Sequence, residues 1–429
     1  MATANRWAIA AAGTVSMACL GAVYSWSLFA QPLSAAFGWS ATTTTWAFST
    51  AILFLGFGAV AGGRWQDRAG PRRVALAGAL LWGLGNALAG LGVARFGAAW
   101  LYATYGVVGG LGLGLGYVTP VAAVTKWFPD RRGLGGGMVV MGFGLGAFLY
   151  NMVLRSVPAF ADAARESGAV LAARAAGRQA SLGASQVAAV TDAFLLSGIA
   201  FAVVGGAAAS LIVNPGTAGG APASSAAAAG PDLPPGPAVR TVRFWALWLM
   251  LFLNVTAGIL FISNAVPIMR ELTGVPPATA VAVYGAIALA NGLGRFFWGA
   301  VSDRVGRRAT FALLYGIQVA VFLTVGRVHA LWLVSALFAV VLLCYGGGFG
   351  TMPALTADAF GTRHLGQIYG WILLAWGAAG VAGPLFVALV KDHGGAYAAA
   401  LPWTAGLLFA ALPLPLLARP PRRRPDPSG

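Results

Sequence analysis

Twelve blocks of about 20 mostly apolar residues, separated by short charged or Gly- and Pro-containing breaks, constrain this 429-residue chain more than any other feature. Each is long enough to cross a hydrocarbon core of ~30 Å at ~1.5 Å per residue. Only 9% of the residues are charged and 59% are hydrophobic, against ~25% charged in a soluble globular chain, so a water-soluble surface is excluded. The spans fall at 7–30, 43–63, 73–93, 97–121, 134–154 and 191–213, then at 243–266, 279–301, 309–327, 330–353, 367–389 and 397–418. None shows the period-two alternation of a barrel strand, and only helices otherwise satisfy every backbone group in lipid, so all twelve are expected to be helical. The first block exceeds the ~7–15-residue core of a signal peptide and eleven more follow it, so it reads as an uncleaved helix. The expected fold class is an all-α membrane protein.

Charge placement orients the spans. A net charge of +16 would suggest nucleic-acid binding in a soluble chain, but here the Lys and Arg residues sit in short inter-helix loops, and no nucleic-acid partner is expected. Of the 27 cations, 18 lie on the side of the N-terminus and 8 on the other, four of these in one long loop. Positive charge retained inside places both termini in the cytoplasm of a multi-pass protein of the cell (plasma or inner) membrane. One cation is left over: Arg295, inside the eighth span. All 11 acids fall in loops or at helix ends, so no carboxylate of the chain is placed to neutralise it. Cys19 and Cys344 both lie in spans and read as packing residues, leaving neither a disulfide framework nor a zinc quartet.

The chain repeats itself. Gly63, Asp67, Arg68, Gly70 and Arg72 recur as Gly299, Asp303, Arg304, Gly306 and Arg308, each 236 positions later. Matched copies at one offset imply two six-helix bundles with the same internal plan. Gly63 and Gly299 would let helices approach closely, while Asp67 and Asp303 can pair with neighbouring Arg or accept from exposed backbone N–H groups, so the loop can latch one conformation. The plain alternative is an ordinary positive-inside loop with a turn glycine. Residues 1–213 are then an N-terminal bundle, 214–242 a cytoplasmic linker, 243–418 a C-terminal bundle and 419–429 a basic cytoplasmic tail. The linker, rich in Ala, Gly, Ser and Pro, reads as a flexible tether. Spans four and ten share Gly-rich runs ending at Pro120 and Pro353, expected to bend at a central cavity. The loop at 155–190 suits a short amphipathic helix on the membrane.

These residues resemble the major facilitator superfamily, whose twelve-helix transporters carry the duplicated Gly-x-x-x-Asp-Arg-x-Gly-x-Arg loop. A narrower resemblance, to the oxalate/formate antiporter family, rests on Tyr24-Ser25-Trp26-Ser27-Leu28-Phe29, Phe37-Gly38-Trp39-Ser40, Lys126-Trp127-Phe128-Pro129-Asp130-Arg131-Arg132-Gly133 and Asn291-Gly292-Leu293-Gly294-Arg295. It implies small carboxylate anions as substrates. In the oxalate-exchanging branch an Arg of the eighth helix and a Lys of the eleventh hold the two carboxylates; Arg295 matches the first, and the second falls near Trp376. No Lys or Arg occurs from Leu365 to Val390, so the resemblance stops short of oxalate.

Arg295 lies eight residues, about 12 Å, before Asp303 along its helix. A charge at that depth costs upwards of ~2.5 kcal/mol and faces a cavity or partner, unless the side chain snorkels to the interface. Asn291 one turn earlier extends a polar stripe, and a planar guanidinium matches a carboxylate bidentately. Tyr24, Tyr117 and Tyr345 can donate to a carboxylate, or simply pack; Trp376 would make the wall apolar, or contact lipid. The candidate substrate-binding set is therefore Arg295, Asn291, Tyr117, Tyr345, Tyr24 and Trp376. The candidate latch comprises Gly63, Asp67, Arg68, Arg72, Gly299, Asp303, Arg304 and Arg308. Gly133 to Gly146 lacks the strand and the Lys-Ser/Thr of a phosphate loop and reads as close helix packing. With no triad, metal cluster or carboxylate pair inside the spans, an enzyme, a cofactor and a metal site are not expected. The expectation is a monomeric secondary transporter of small monocarboxylates, coupled to protons or to a counter-anion; an oxalate:formate-type exchanger and a non-transporting carboxylate sensor are the alternatives.

Overall fold

The computed structural model describes residues 5–215, 232–392 and 400–418. Among them ten helical stretches are long and apolar enough to span a membrane, and one of these, Pro71–Trp127, is two helices folded back on each other. With the shorter apolar helix Leu401–Leu417 the described residues hold twelve spans. The reversal in Pro71–Trp127 occurs at Gly97, whose φ of 69° is open to a residue without Cβ. Gly78 then faces Gly116 and Gly85 faces Gly109, pairs centred on Gly97, and a Cβ on Gly85 would lie 2.6 Å from Gly109 N. The third and fourth spans thus pack backbone to backbone, as small residues permit in lipid.

Helices outrun the apolar blocks. The second span runs Ala41–Ala69 and the eighth ends at Val305, which puts Asp67 and Asp303 in the last helical turn. The first span, Arg6–Phe37, is capped by Asn5, whose side chain accepts from Trp7 N at 2.9 Å, and tightens into a 3-10 turn at Ala22–Ser25, which carries Tyr24. The Gly-rich runs of spans four and ten do not interrupt the helix. Gly110–Trp127 and Leu331–Phe360 run on through Pro120 and Pro353 as helix, and their glycines serve as crossings: a Cβ on Gly114 would overlap Leu55 O, and one on Gly350 would overlap Arg295 O.

The two halves meet along two related crossings. The second span meets the eleventh, Leu365–Asp392, where Gly63 lies against Gly366; the fifth, Arg132–Ser156, meets the eighth where Gly133 and Gly137 lie against Gly299. Outside the spans, Pro158–Ala175 forms the expected extra helix. Arg174 ties it down, donating to Ser34 O at 2.9 Å, Ala35 O at 2.8 Å and Ala180 O at 2.7 Å, so it satisfies carbonyls at the end of the first span. The linker departs from a plain tether at its C-terminal end. Pro235–Val239 is a short helix, Leu233 N donates to Phe360 O at 3.0 Å, and Asp232 accepts from Thr362 N at 3.0 Å and Arg363 N at 3.2 Å. Residues 216–231 of the linker and the tail 419–429 lie outside the described residues.

Candidate functional site

Arg295 projects from the middle of the eighth span and is 0% exposed, so the snorkelling alternative fails. Its guanidinium lies over the Phe349 ring at 4.8 Å and near the Phe143 ring at 5.6 Å, contacts that attract a cation weakly. Conventional bonds are poor. Nε and one terminal nitrogen reach only Asn291 Oδ1 and Val140 O, each at 3.5 Å, and the other terminal nitrogen, NH2, is buried without a hydrogen-bond partner among the described residues. No Asp or Glu lies in ion-pair range of it among the described residues. A buried charge this poorly compensated is costly, and an anion placed against it would be strongly held.

Around the guanidinium stands a ring of aromatics from both halves. Trp376 of the eleventh span packs edge-on to Tyr117 at 5.2 Å, Phe143 at 5.5 Å and Phe349 at 4.8 Å, with Tyr24 at 6.3 Å. Tyr24, Tyr117, Tyr345 and Tyr369 all lie within electrostatic reach of Arg295. The hydroxyls of Tyr24, Tyr117 and Tyr369 are buried beside one another, Tyr345 and Arg295, and none makes a hydrogen bond of good geometry among the described residues. Tyr345 is held from behind. Asn254 Nδ2 donates to its carbonyl at 3.2 Å, and Gly258 leaves the room its ring occupies. Asn264 instead bonds within its own helix, to Leu260 O at 2.7 Å.

Tyr24, Tyr117, Asn291, Arg295, Tyr345 and Trp376, drawn from five spans, therefore meet at one place. Sequence reasoning missed Phe143, Phe349 and Tyr369. Two carried a signal: Phe349 lies one turn beyond Tyr345 on the same helix, and Tyr369 two turns before Trp376. Phe143 is the single ring in Gly142-Phe143-Gly144, a run read only as packing. The assembled group can bind one negative charge, donate several hydrogen bonds and enclose an apolar remainder. No group of three or more His, Cys, Asp or Glu suited to a metal occurs among the described residues.

The residues of the candidate latch lie at one face of the molecule, where each Asp caps a helix of the opposite half. Asp303 accepts from Gly133 N at 3.0 Å and Leu134 N at 2.8 Å, the first turn of the fifth span; Asp67 accepts from Gln367 N at 2.8 Å, the first turn of the eleventh. Negative side chains at helix N-termini satisfy orphan donors and complement the helix dipole. The basic partners differ from those expected. Asp67 pairs with Lys126 at 3.6 Å, and Asp303 with Arg307, which also reaches Asp358 at 3.3 Å; Asp358 in turn pairs with Arg132 of the other half at 3.0 Å. Arg68, Arg72 and Arg304 are exposed, and with Arg308 they make no ion pair among the described residues. Register explains the shift: Arg307 opens its helix one residue before Arg308 and faces back to Asp303 four residues earlier.

A family model described as Major Facilitator Superfamily matches residues 11–384 and 247–429. The chain is similar to the oxalate:formate antiporter of Oxalobacter formigenes, with 29% identity over 415 residues covering 95% of this chain and 88% of the relative. It is also similar to apicoplast pyruvate carrier 1 of Toxoplasma gondii, with 26% identity over 373 residues covering 77% of this chain and 66% of the relative. In fold it matches the crystal structure of the E. coli fucose:proton symporter, with a TM-score of 0.72 at 14% identity, over 96% of this chain and 98% of that one.

Proposed function

The chain belongs to the Major Facilitator Superfamily, and from that premise we propose that it is a secondary active transporter of a small organic monocarboxylate of the lactate, pyruvate and formate class, working by alternating access. One observation carries the reading: the buried guanidinium of Arg295 has a terminal nitrogen without a hydrogen bond of good geometry and no carboxylate in reach among the described residues. A substrate carboxylate accepts two parallel N–H bonds there, and tyrosine hydroxyls donate to its remaining lone pairs. Trp376, Phe143 and Phe349 enclose the apolar remainder of the anion. One guanidinium balances one carboxylate.

Neutralising Arg295 lowers the cost of enclosing it, so a filled site favours the rearrangement that an empty site resists. The helix-capping aspartates Asp67 and Asp303 hold one end of the junction shut, and breaking both sets of contacts opens that end. We place that end, and both termini, on the cytoplasmic side because of the excess of Lys and Arg there. The protein then sits in the cell membrane and works as a monomer. Coupling runs through a proton or through a returning anion; exchange needs no proton relay, since any anion that neutralises Arg295 suffices.

Similarity to a relative named as an oxalate:formate antiporter favours a second reading, dicarboxylate exchange. Against it stands Trp376, which fills the wall opposite Arg295 with an indole where a dianion wants a second cation. Uptake by proteoliposomes separates the readings. Labelled lactate or pyruvate should enter in preference to oxalate, driven by a pH gradient or by trans-loaded anion. Oxalate as the preferred solute would overturn the monocarboxylate assignment.

A further inference from the structure

Away from Arg295, the end of the linker closes a groove of about 460 Å³ against the seventh span (Val242–Thr273) and the eleventh. Val239, Trp245, Trp248, Gln367, Trp371 and Leu374 line it. Trp245 is 52% exposed and Trp371 38% exposed, although both lie in segments apolar enough to span a membrane. Trp248 stacks on Phe252 at 5.3 Å, which extends the aromatic surface along the seventh span. In a multi-pass protein the medium against such a surface is lipid, and tryptophans collect near the headgroup level.

Cations flank the groove along the chain: Arg240 follows the lining residue Val239, and Arg243 precedes the lining residues Phe244 and Trp245, at the corner between Pro235–Val239 and the seventh span. Arg240 is exposed; the Arg243 guanidinium lies over the Phe360 ring at 5.7 Å and donates to Ala359 O at 2.8 Å, which leaves its buried Nε without a hydrogen bond among the described residues. Arg363 is exposed on the adjoining loop. The nearby acid, Asp232, is engaged by Thr362 N and Arg363 N. We propose that this groove binds one anionic phospholipid, with an acyl chain against Trp245, Trp248 and Trp371 and the phosphate at the Arg240 and Arg243 corner. Cations beside a membrane-facing cleft recognise such headgroups by charge, and the indoles supply the apolar contact. Gln367 links the site to the junction, since its backbone N–H is the one that Asp67 caps. The inference is independent of which anion is transported.

The test is photolabelling of the full-length protein in phosphatidylethanolamine vesicles doped with phosphatidylglycerol that carries a diazirine on one acyl chain. Label should concentrate in 235–248 and 367–374, above that from the matching phosphatidylcholine probe. Arg240→Gln should lower phosphatidylglycerol labelling there about fivefold and leave phosphatidylcholine labelling unchanged. Trp371→Ala should lower both, with the melting temperature recorded to confirm folding. Label spread evenly over the lipid-facing surface, equal labelling by the two lipids, or no response to Arg240→Gln would overturn the assignment, as would crosslinking of the groove to residues 216–231 of the same chain.

Discussion

Replacing Trp376 with Lys asks whether that side chain faces the bound anion. Phe349 touches both Arg295 and Trp376, its ring centre 4.8 Å from the guanidinium carbon and 4.8 Å from the indole centre, so the two lie at most about 10 Å apart. A small dianion can bridge that distance. The new ammonium meets the second carboxylate at ~4 Å, worth about 4 kcal/mol at an effective dielectric of 20. Desolvation and the rotamer entropy of Lys, about 2 kcal/mol together, reduce the gain. Repulsion between Lys and Arg295 opposes both anions before binding, so it cancels in their ratio. About 2 kcal/mol of net discrimination remains, a shift of roughly 30-fold in the oxalate-to-lactate affinity ratio. Losing a buried Trp also costs about 3–5 kcal/mol of stability, so Trp376→Phe serves as the neutral control. The assay is competition by each anion against labelled lactate in proteoliposomes. A ratio within twofold of the wild type, in a Trp376→Lys protein that still binds lactate, would refute the reasoning.

Other perturbations follow from the same geometry. Asp303→Asn removes the charge that Gly133 N, Leu134 N and Arg307 share, weakening that end of the junction by about 1.5–3 kcal/mol. Spin labels at the exposed Arg68 and Arg363 should then report a larger separated population; an unchanged distance distribution would count against the latch. Gly350→Ala places a methyl onto the Arg295 carbonyl, so despite the better helix propensity of Ala it should cost about 1–3 kcal/mol and lower the melting temperature. Gly285→Ala, with no neighbouring atom within 4 Å of the new Cβ, should be neutral or stabilising, and equal effects of the two would discredit the close crossing. Arg174→Ala should raise amide exchange over Pro158–Ala175 by at least tenfold, because three carbonyl contacts are lost.

Much of this fold is legible because lipid imposes a crude rule: a block of ~20 apolar residues must be a helix. Helix ends are less legible. Apolar composition fades at Gly63 and Val301, whereas the helices continue to Ala69 and Val305, since backbone hydrogen bonding does not stop at the hydrocarbon boundary. Arg295 stood out because a charge inside a span is costly and no acid accompanied it. Phe143 and Phe349 did not, because an aromatic residue in an apolar helix looks the same whether it faces lipid, core or substrate. The duplicated loop motif shows the same limit. Gly63, Asp67, Gly299 and Asp303 were visible through their repetition, but Arg307, Lys126 and Asp358 were not, since partners across a junction are set by helix crossing and not by spacing in the chain.

Direct binding to the purified protein tests the role of Arg295 most sharply. Wild-type protein should melt at a rising temperature as lactate or pyruvate is added, by the usual linkage of binding to stability. Arg295→Ala should lose that response, with affinity at least ~100-fold lower, yet melt without ligand as high as the wild type or higher, because an uncompensated buried charge has been removed. Arg295→Lys should keep the charge and recover little affinity, lacking the planar fork. A ligand-free Arg295→Ala protein that melts well below the wild type and still responds fully to lactate would contradict the assignment, leaving Arg295 a structural cation.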